Sequence, residues 1–133
     1  MKKILSLLIV STIMLLFVNC GGENTPAEIE KSIYTQMKRG NYEKAMDIMI
    51  NNSADYNQDA PEKSQVIKSF AQKAQQSADA KGGIKSFEIV DEYISEDGLS
   101  ATIEVKIIYG NGSEDTKRSP YIKEGNKWMK KSF

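Results

Sequence analysis

The spacing of apolar residues changes once along the chain, near residue 84. Before that point apolar residues recur at intervals of three and four, which predicts amphipathic helices. After it, apolar and polar residues alternate, which predicts strands with one buried face. Three helices followed by a four-stranded antiparallel meander predict an α+β domain, with the helices packed on one face of a curved sheet.

The first predicted helix begins at the segment Thr25-Pro26-Ala27-Glu28. This segment has the form of a capping box, with Thr25 as the N-cap residue and Pro26 at the first helical position, where its missing N–H is harmless. Gly40 is expected to end the helix, and Asn41 to cap the next one. The apolar stripe of the first helix consists of Ile29, Ile33 and Met37.

Two further helices follow the same period. The second is predicted from the stripe of Tyr42, Ala45, Met46, Met49 and Ile50. The third is predicted to open at Asp59-Ala60-Pro61-Glu62 and to end at Lys81-Gly82-Gly83, where a glycine suits a left-handed backbone. Its inward-facing residues are predicted to be Val66, Ile67, Phe70, Ala71 and Ala74.

Four strands are predicted after the helices. The first runs from Ile84 to Ile94, and the second places the odd-numbered residues from Leu99 to Tyr109 on a buried face. Asn111-Gly112 is typical of a hairpin turn. The third strand, Ser113 to Lys123, contains Pro120 and is therefore expected at an edge or a bulge. The last strand is predicted from Lys127 to Phe133.

The first 20 residues have the pattern of a secretory signal. A positive start, Met1-Lys2-Lys3, precedes an apolar run from Ile4 to Val18 that is shorter than the roughly 20 residues of a membrane-spanning helix. The segment Phe17-Val18-Asn19-Cys20 then resembles the bacterial lipobox, in which the signal is cut before a cysteine that becomes lipidated, with palmitate among its acyl chains. We therefore predict a signal peptide over 1–19, a lipidated Cys20 with a short tether over 20–24, and one α+β domain over 25–133.

The residues after Cys20 bear on the location of the protein. In lipobox-bearing proteins an Asp directly after the cysteine tends to retain the protein at the inner membrane, and this chain has Gly21 instead. The periplasmic face of the outer membrane is therefore the predicted location. The alternative is an ordinary secreted protein in which Cys20 merely falls near the cleavage site, although a free thiol there would be exposed to oxidation.

Charge and composition exclude several classes of function. The chain of 133 residues has 18 basic and 18 acidic residues, and no basic cluster that would bind nucleic acid. It has no histidine, and its single cysteine excludes an internal disulfide and a zinc site made of cysteines. We therefore expect no cofactor and no metal. Five of the six leucines lie in the signal, and only Leu99 belongs to the predicted domain.

Residues 25–133 are similar to a family of small bacterial lipoproteins of unknown function built on the nuclear-transport-factor-2-like (NTF2-like), or cystatin-like, fold. The similarity is carried by three short motifs and by the order of the elements. The motifs are Thr25-Pro26-Ala27-Glu28, Gly40-Asn41-Tyr42-Glu43-Lys44-Ala45 and Gly125-Asn126-Lys127-Trp128-Met129-Lys130. The resemblance implies a cone-shaped domain whose sheet wraps the helices and often leaves a pocket at the open end. It implies no particular reaction, since this fold hosts enzymes and binding modules alike.

Candidate pocket residues follow from this expectation. An enzyme on the scaffold could resemble ketosteroid isomerases, which place a carboxylate base and a tyrosine in an apolar pocket. Asp91 or Asp47 would be the base, and Asp91 interrupts an otherwise apolar face of the first strand. The alternative is that the strand is bulged there and Asp91 is solvated. The full set of possible pocket residues is Tyr34, Met46, Asp91, Tyr93, Tyr109 and Trp128.

These observations favour a membrane-anchored lipoprotein with a non-enzymatic binding domain. Its ligand would be a small apolar molecule in the cone, or an envelope protein on the outer face of the sheet. Ile108 and Ile122, if they point outward, would contribute to a homodimer contact there. The alternative function is that of an isomerase-like enzyme using a pocket carboxylate and a tyrosine.

Overall fold

The computed structural model describes residues 25–131, and the predicted signal peptide, Cys20, Ser132 and Phe133 lie outside that range. Three helices precede four strands, as the sequence predicts. The helices are α1 (Pro26–Lys38), α2 (Tyr42–Asn51) and α3 (Lys63–Asp79). The strands are β1 (Ile84–Ile94), β2 (Ser100–Tyr109), β3 (Glu114–Glu124) and β4 (Lys127–Lys130).

The four strands form one antiparallel meander in the order β1-β2-β3-β4. The odd-numbered residues of β2 are buried under the helices, which confirms the predicted inner face of that strand. Leu99 is the correction: it lies just before β2 and is 54% exposed. Helix α1 contacts β1, β2 and β4, α2 packs on α1, and α3 packs on α2. The inner face of the sheet and α1 therefore enclose the core.

The helix boundaries agree with the sequence except at the start of α3, and one predicted side-chain cap, that of Asn41 at the N-cap position of α2, is not formed. Thr25 caps α1, because its hydroxyl oxygen accepts a hydrogen bond from the Glu28 N–H at 3.3 Å. Asn41 does not cap α2: its side-chain amide donates instead to Gln36 Oε1 at 3.2 Å. Helix α3 begins at Lys63 rather than at the predicted Asp59 segment, since Ala60, Pro61 and Glu62 form turns before it.

Two glycines join the end of α3 to the turn between β2 and β3. Gly82 has a φ of +86°, as predicted for a glycine that ends a helix. A Cβ added to Gly110 would lie 2.3 Å from the Gly82 carbonyl oxygen, so the two backbones approach more closely than any side chain allows. This close contact holds the end of the sheet that carries the β2–β3 turn against the end of α3.

Pro120 lies at the end of the pairing between β3 and β4. It pairs with Thr102 on one side, and on the other its carbonyl oxygen accepts a hydrogen bond from the Lys131 N–H just beyond β4. Strand β3 is not an edge strand, but β4 stops at Lys130, opposite Tyr121. The missing proline N–H is tolerated where the ladder ends.

Strand β1 contains a bulge between Ile89 and Asp91. Before the bulge, Phe87 and Ile89 pair with inner-face residues of β2. The extra residue reverses the alternation, so that Asp91 pairs with Glu104 on the outer face. All five residues from Val90 to Ile94 are exposed.

Candidate functional site

A buried polar cluster lies between α1 and the last two strands. Lys130 Nζ is 2.6 Å from Glu30 Oε1, and the Tyr121 hydroxyl donates to the same oxygen at 2.7 Å. All three residues are buried, Glu30 and Tyr121 to 1% exposure. We call Glu30, Tyr121 and Lys130 the inner cluster.

Local structure places each member of the inner cluster. Glu30 lies on the buried side of α1 next to Ile29 and Ile33. Tyr121 and Lys130 are opposite each other in the β3–β4 pair, so their side chains share the inner face. Lys130 Nζ also lies 5.3 Å from the centre of the Tyr121 ring. Burial and the neighbouring Glu30 raise the pKa of Tyr121 well above its ordinary value.

The inner cluster has the groups of an acid–base site but no access for a substrate. A carboxylate, an ammonium and a phenol converge on one oxygen, and none of the three residues is more than 4% exposed. Removing one partner from such a buried pair leaves an uncompensated charge, which costs about 3–5 kcal/mol. The cluster therefore ties α1 to β3 and β4.

The expected pocket residues divide into two groups. Tyr34, Met46 and Tyr109 are buried together in the hydrophobic core, and Trp128 is half-buried against it. The Tyr34 ring lies 5.7 Å from the Phe87 ring. Burial, followed by the charge of Glu30, raises the pKa of Tyr34. These aromatic side chains pack the interior of the domain.

Asp91 and Tyr93 are corrections to the expected set. The bulge after Ile89 turns both residues to the outer face, where Asp91 is exposed and Tyr93 is 62% exposed. Asp47, the other candidate base, is exposed on α2. Neither carboxylate lies in an apolar pocket, so the isomerase-like hypothesis loses the base on which it depended.

Local sequence patterns did not reveal the inner cluster. Glu30 and Lys130 are 100 residues apart, and long-range pairing cannot be deduced from local periodicity. A signal was nonetheless present in each element. Glu30 falls within the apolar stripe of α1, and Lys130 shares strand parity with the aromatic Trp128. A charge at an inward position predicts a buried partner of opposite charge.

An open cleft of about 720 Å³ lies between α2 and α3. Its lining is mainly polar and charged, with Tyr42 and Ala71 at its floor. The other lining residues are Gly40, Asn41, Glu43, Lys44, Lys68, Gln72 and Gln75. Within the described range no strand residue lines this cleft, so it is not the pocket under the sheet in which a small apolar ligand is expected from the sequence.

The outer face of the sheet has no buried residue within the described range. Its central rows carry ion pairs, Glu104 with Arg118 at 3.2 Å and Lys106 with Glu114 at 3.6 Å. One end is apolar, where Ile122 pairs with Met129. We call the four residues of that end the outer patch: Tyr93, Pro120, Ile122 and Met129.

Ile108 and Ile122 both lie on the outer face but not in one patch. Ile122 of β3 pairs with Ser100 of β2, and Ile108 lies eight residues further along β2, where it pairs with Glu114. At about 3.3 Å per residue this is about 26 Å. The apolar neighbours of Ile122 are therefore Pro120 and Met129 rather than Ile108.

The helices and the acidic side chains of residues 25–131 bear on membrane spanning and metal binding. None of the three helices is long and apolar enough to cross a bilayer. Over the same range no group of three or more His, Cys, Asp or Glu side chains is arranged to hold a metal ion.

The family described as a domain of unknown function (DUF4878) matches residues 18–130 of the chain. The chain belongs to the DUF4878 family. The DUF4878 match covers all the described elements, from α1 to β4. A comparison with curated protein sequences finds no match.

Solved structures show the fold of this DUF4878 domain. It is similar to a Campylobacter jejuni protein described as an NTF2-like transpeptidase, with a TM-score of 0.61 and 18% identity over 83% of this chain and 100% of the other. A SEC-C motif containing protein from Rhodopseudomonas palustris gives a TM-score of 0.49 and 17% identity, over 81% of this chain and 76% of that one. The α+β, NTF2-like fold expected from the sequence is confirmed by the first of these.

Proposed function

We propose that this DUF4878 protein is a membrane-anchored lipoprotein whose NTF2-like domain is a non-enzymatic docking module for another envelope protein. The predicted lipid on Cys20 would hold the domain at the periplasmic face of the outer membrane. The docking surface would be the outer face of the sheet.

The observation that carries the proposal is the contrast between the two faces of one sheet. The groups best suited to acid–base chemistry are sealed inside as the inner cluster. The outer face has no helix packed on it within residues 25–131, and it presents the outer patch beside a row of ion pairs. An apolar patch rimmed by charges is typical of a protein-binding surface.

Lipid anchoring is supported by the sequence alone. The order of a positive start, an apolar run and Cys20 is that of a lipoprotein signal. Each buried methylene contributes about 0.8 kcal/mol, so several acyl chains hold a protein firmly where one does not. Cys20→Ala should therefore move the protein from the membrane fraction to the soluble fraction, or leave it uncleaved. Unchanged partitioning would reject the anchor.

The docking surface can be tested by photo-crosslinking in cells that produce the full-length protein. A photoreactive phenylalanine analogue replaces Tyr93, which is 62% exposed in the outer patch. The matched control places the same analogue at Gln76, an exposed residue of α3. We expect one discrete adduct from position 93 and none from position 76. An adduct of twice the monomer mass would identify the partner as a second copy, and equal labelling from both positions would contradict a defined surface.

A further inference from the structure

We infer that the end of the sheet nearest the start of α1 rests on the lipid surface and inserts a small set of apolar side chains into it. This inference rests on the proposed lipid anchor at Cys20. We call this end, which includes the turns Ser95–Leu99 and Glu124–Lys127, the turn end.

Contacts along α1 establish which end of the sheet its first residue approaches. Glu30 meets Tyr121, whose partner in β2 is Ala101, the second residue of that strand. Tyr34, one helical turn later, lies against Phe87, whose partner in β2 is Ile107. Helix α1 therefore runs away from the turn end, and its beginning points toward it.

The length of the tether brings the turn end to the membrane. Five residue steps separate Cys20 from Thr25, the N-cap of α1. At about 3.5 Å per residue, these steps span at most about 18 Å. Acyl chains on Cys20 lie in the bilayer, so the turn end is the part of the domain closest to the headgroups.

Most of the large apolar residues that the described part of the fold leaves exposed lie at the same end, the exception being Val90 at the bulge of β1. Within the described range, the exposed large hydrophobic residues are Val90, Tyr93, Ile94 and Leu99, all of them in or beside the β1–β2 hairpin. Ile94 and Leu99, 49% and 54% exposed, are at the tip of that hairpin. Trp128 is half-buried on the neighbouring strands, with Lys123 Nζ 5.5 Å from its ring centre. A tryptophan beside a lysine that reaches outward is typical of a membrane interface.

Charge at the turn end defines the kind of contact. In the two turns and beside them, three acidic residues are balanced by three basic residues, and a seventh charged group nearby, Lys130, is paired inside with Glu30. The balanced set is Glu96, Asp97 and Glu124 against Lys123, Lys127 and Lys131. Glu28, exposed in the first turn of α1, adds one negative charge, so the turn end has no excess of positive charge. The contact is therefore apolar and does not depend on anionic lipid. With the turn end on the membrane, the strands run away from the bilayer. The outer patch then faces parallel to the membrane plane, toward a partner in the same membrane.

The test uses the full-length lipidated protein on vesicles of phosphatidylethanolamine and phosphatidylglycerol. Leu99→Cys receives an environment-sensitive fluorophore, because the thiol of a lipidated Cys20 is blocked. The control label is at Gln76→Cys, near the end of α3, which joins the opposite end of the sheet at Gly110. We expect blue-shifted emission at position 99, quenched by lipids brominated in their acyl chains, and neither effect at position 76. The quenching should persist at high salt.

Three results would overturn the inference, and they are distinguishable. If the protein fails to sediment with the vesicles, the proposed anchor fails and the inference with it. If it sediments but position 99 is not quenched, the anchor stands and the contact is wrong. Blue-shifted emission without lipid quenching would mean that a protein surface, rather than lipid, covers Leu99. A further variant, Ile94→Ser, should reduce quenching at position 99 without changing sedimentation.

Discussion

A carboxylate lies near a tyrosine in two regions of the molecule, in the buried inner cluster and at the exposed Asp91. Glu30 is buried and paired with Lys130 and Tyr121, whereas Asp91 lies on the outer face beside the exposed Tyr93. A general base must reach a substrate, and Glu30 is sealed from solvent. A catalytic carboxylate also needs a pocket that holds the substrate against it, and Asp91 is exposed on an open sheet face. Neither tyrosine–carboxylate pair therefore meets both conditions for a general base, and the inner one instead joins α1 to β3 and β4.

The largest effect in this comparison is expected for Lys130→Met. The substitution removes the ammonium from Glu30 inside the core and should lower the free energy of unfolding by about 3–5 kcal/mol. Urea denaturation followed by circular dichroism would measure it. The double variant Glu30→Leu, Lys130→Met should recover most of the loss, because no buried charge is left unpaired. A double variant no more stable than Lys130→Met would show that the pair itself is not the source of the loss.

Alkaline pH should produce the next largest effect. Burial raises the pKa of Tyr121 and of Tyr34 in the folded protein, so at high pH the unfolded chain loses protons that the folded chain retains. Stability should therefore be complete below about pH 10, the ordinary tyrosine value, and fall above it by up to about 1.4 kcal/mol per pH unit for each such group.

Urea denaturation at a series of pH values checks this dependence. Tyr121→Phe should reduce the slope above about pH 10, and Tyr93→Phe, on the exposed surface, serves as its matched control. Equal slopes for both variants would show that the inner cluster contributes nothing to the alkaline transition.

The smallest effect is expected for the exposed carboxylate. Asp91→Asn should change the free energy of unfolding by no more than about 0.5 kcal/mol, because the side chain is on the surface. Glu30→Gln is its matched partner, since both substitutions replace a carboxylate by an amide. It should cost more, because the charge of buried Lys130 is then uncompensated. Similar losses of unfolding free energy in the two variants would contradict the difference between the buried and the exposed carboxylate.

Local patterns in the sequence predict most of the fold. The alternation in β2 identifies its buried face, and the Thr25-Pro26 pair identifies the start of α1. Two features depend on contacts that local patterns do not contain. The bulge after Ile89 reverses the side of β1 on which Asp91 lies. Glu30 and Lys130 meet only after the whole sheet has closed on α1.

Leu99 shows the same limit at the surface. Its alternation with Ala101 and Ile103 predicts burial, yet it lies beyond the part of the sheet that the helices cover. Strand period determines which side of the sheet a residue faces, while burial depends on how far the neighbouring layer extends. The strand period therefore locates β1 and β2 without determining which of their residues are buried.

We propose that the inner cluster serves the fold and that the outer face serves binding. The yield of crosslinking from the outer patch measures this difference. A photoreactive phenylalanine analogue at position 93 of the full-length protein would be combined in cells with either Ile122→Lys or Tyr121→Phe. These neighbouring residues of β3 lie in the outer patch and the inner cluster. With yields normalised to folded protein, we expect Ile122→Lys to abolish the adduct and Tyr121→Phe to leave it unchanged. Loss of the adduct in Tyr121→Phe with retention in Ile122→Lys would contradict this proposal.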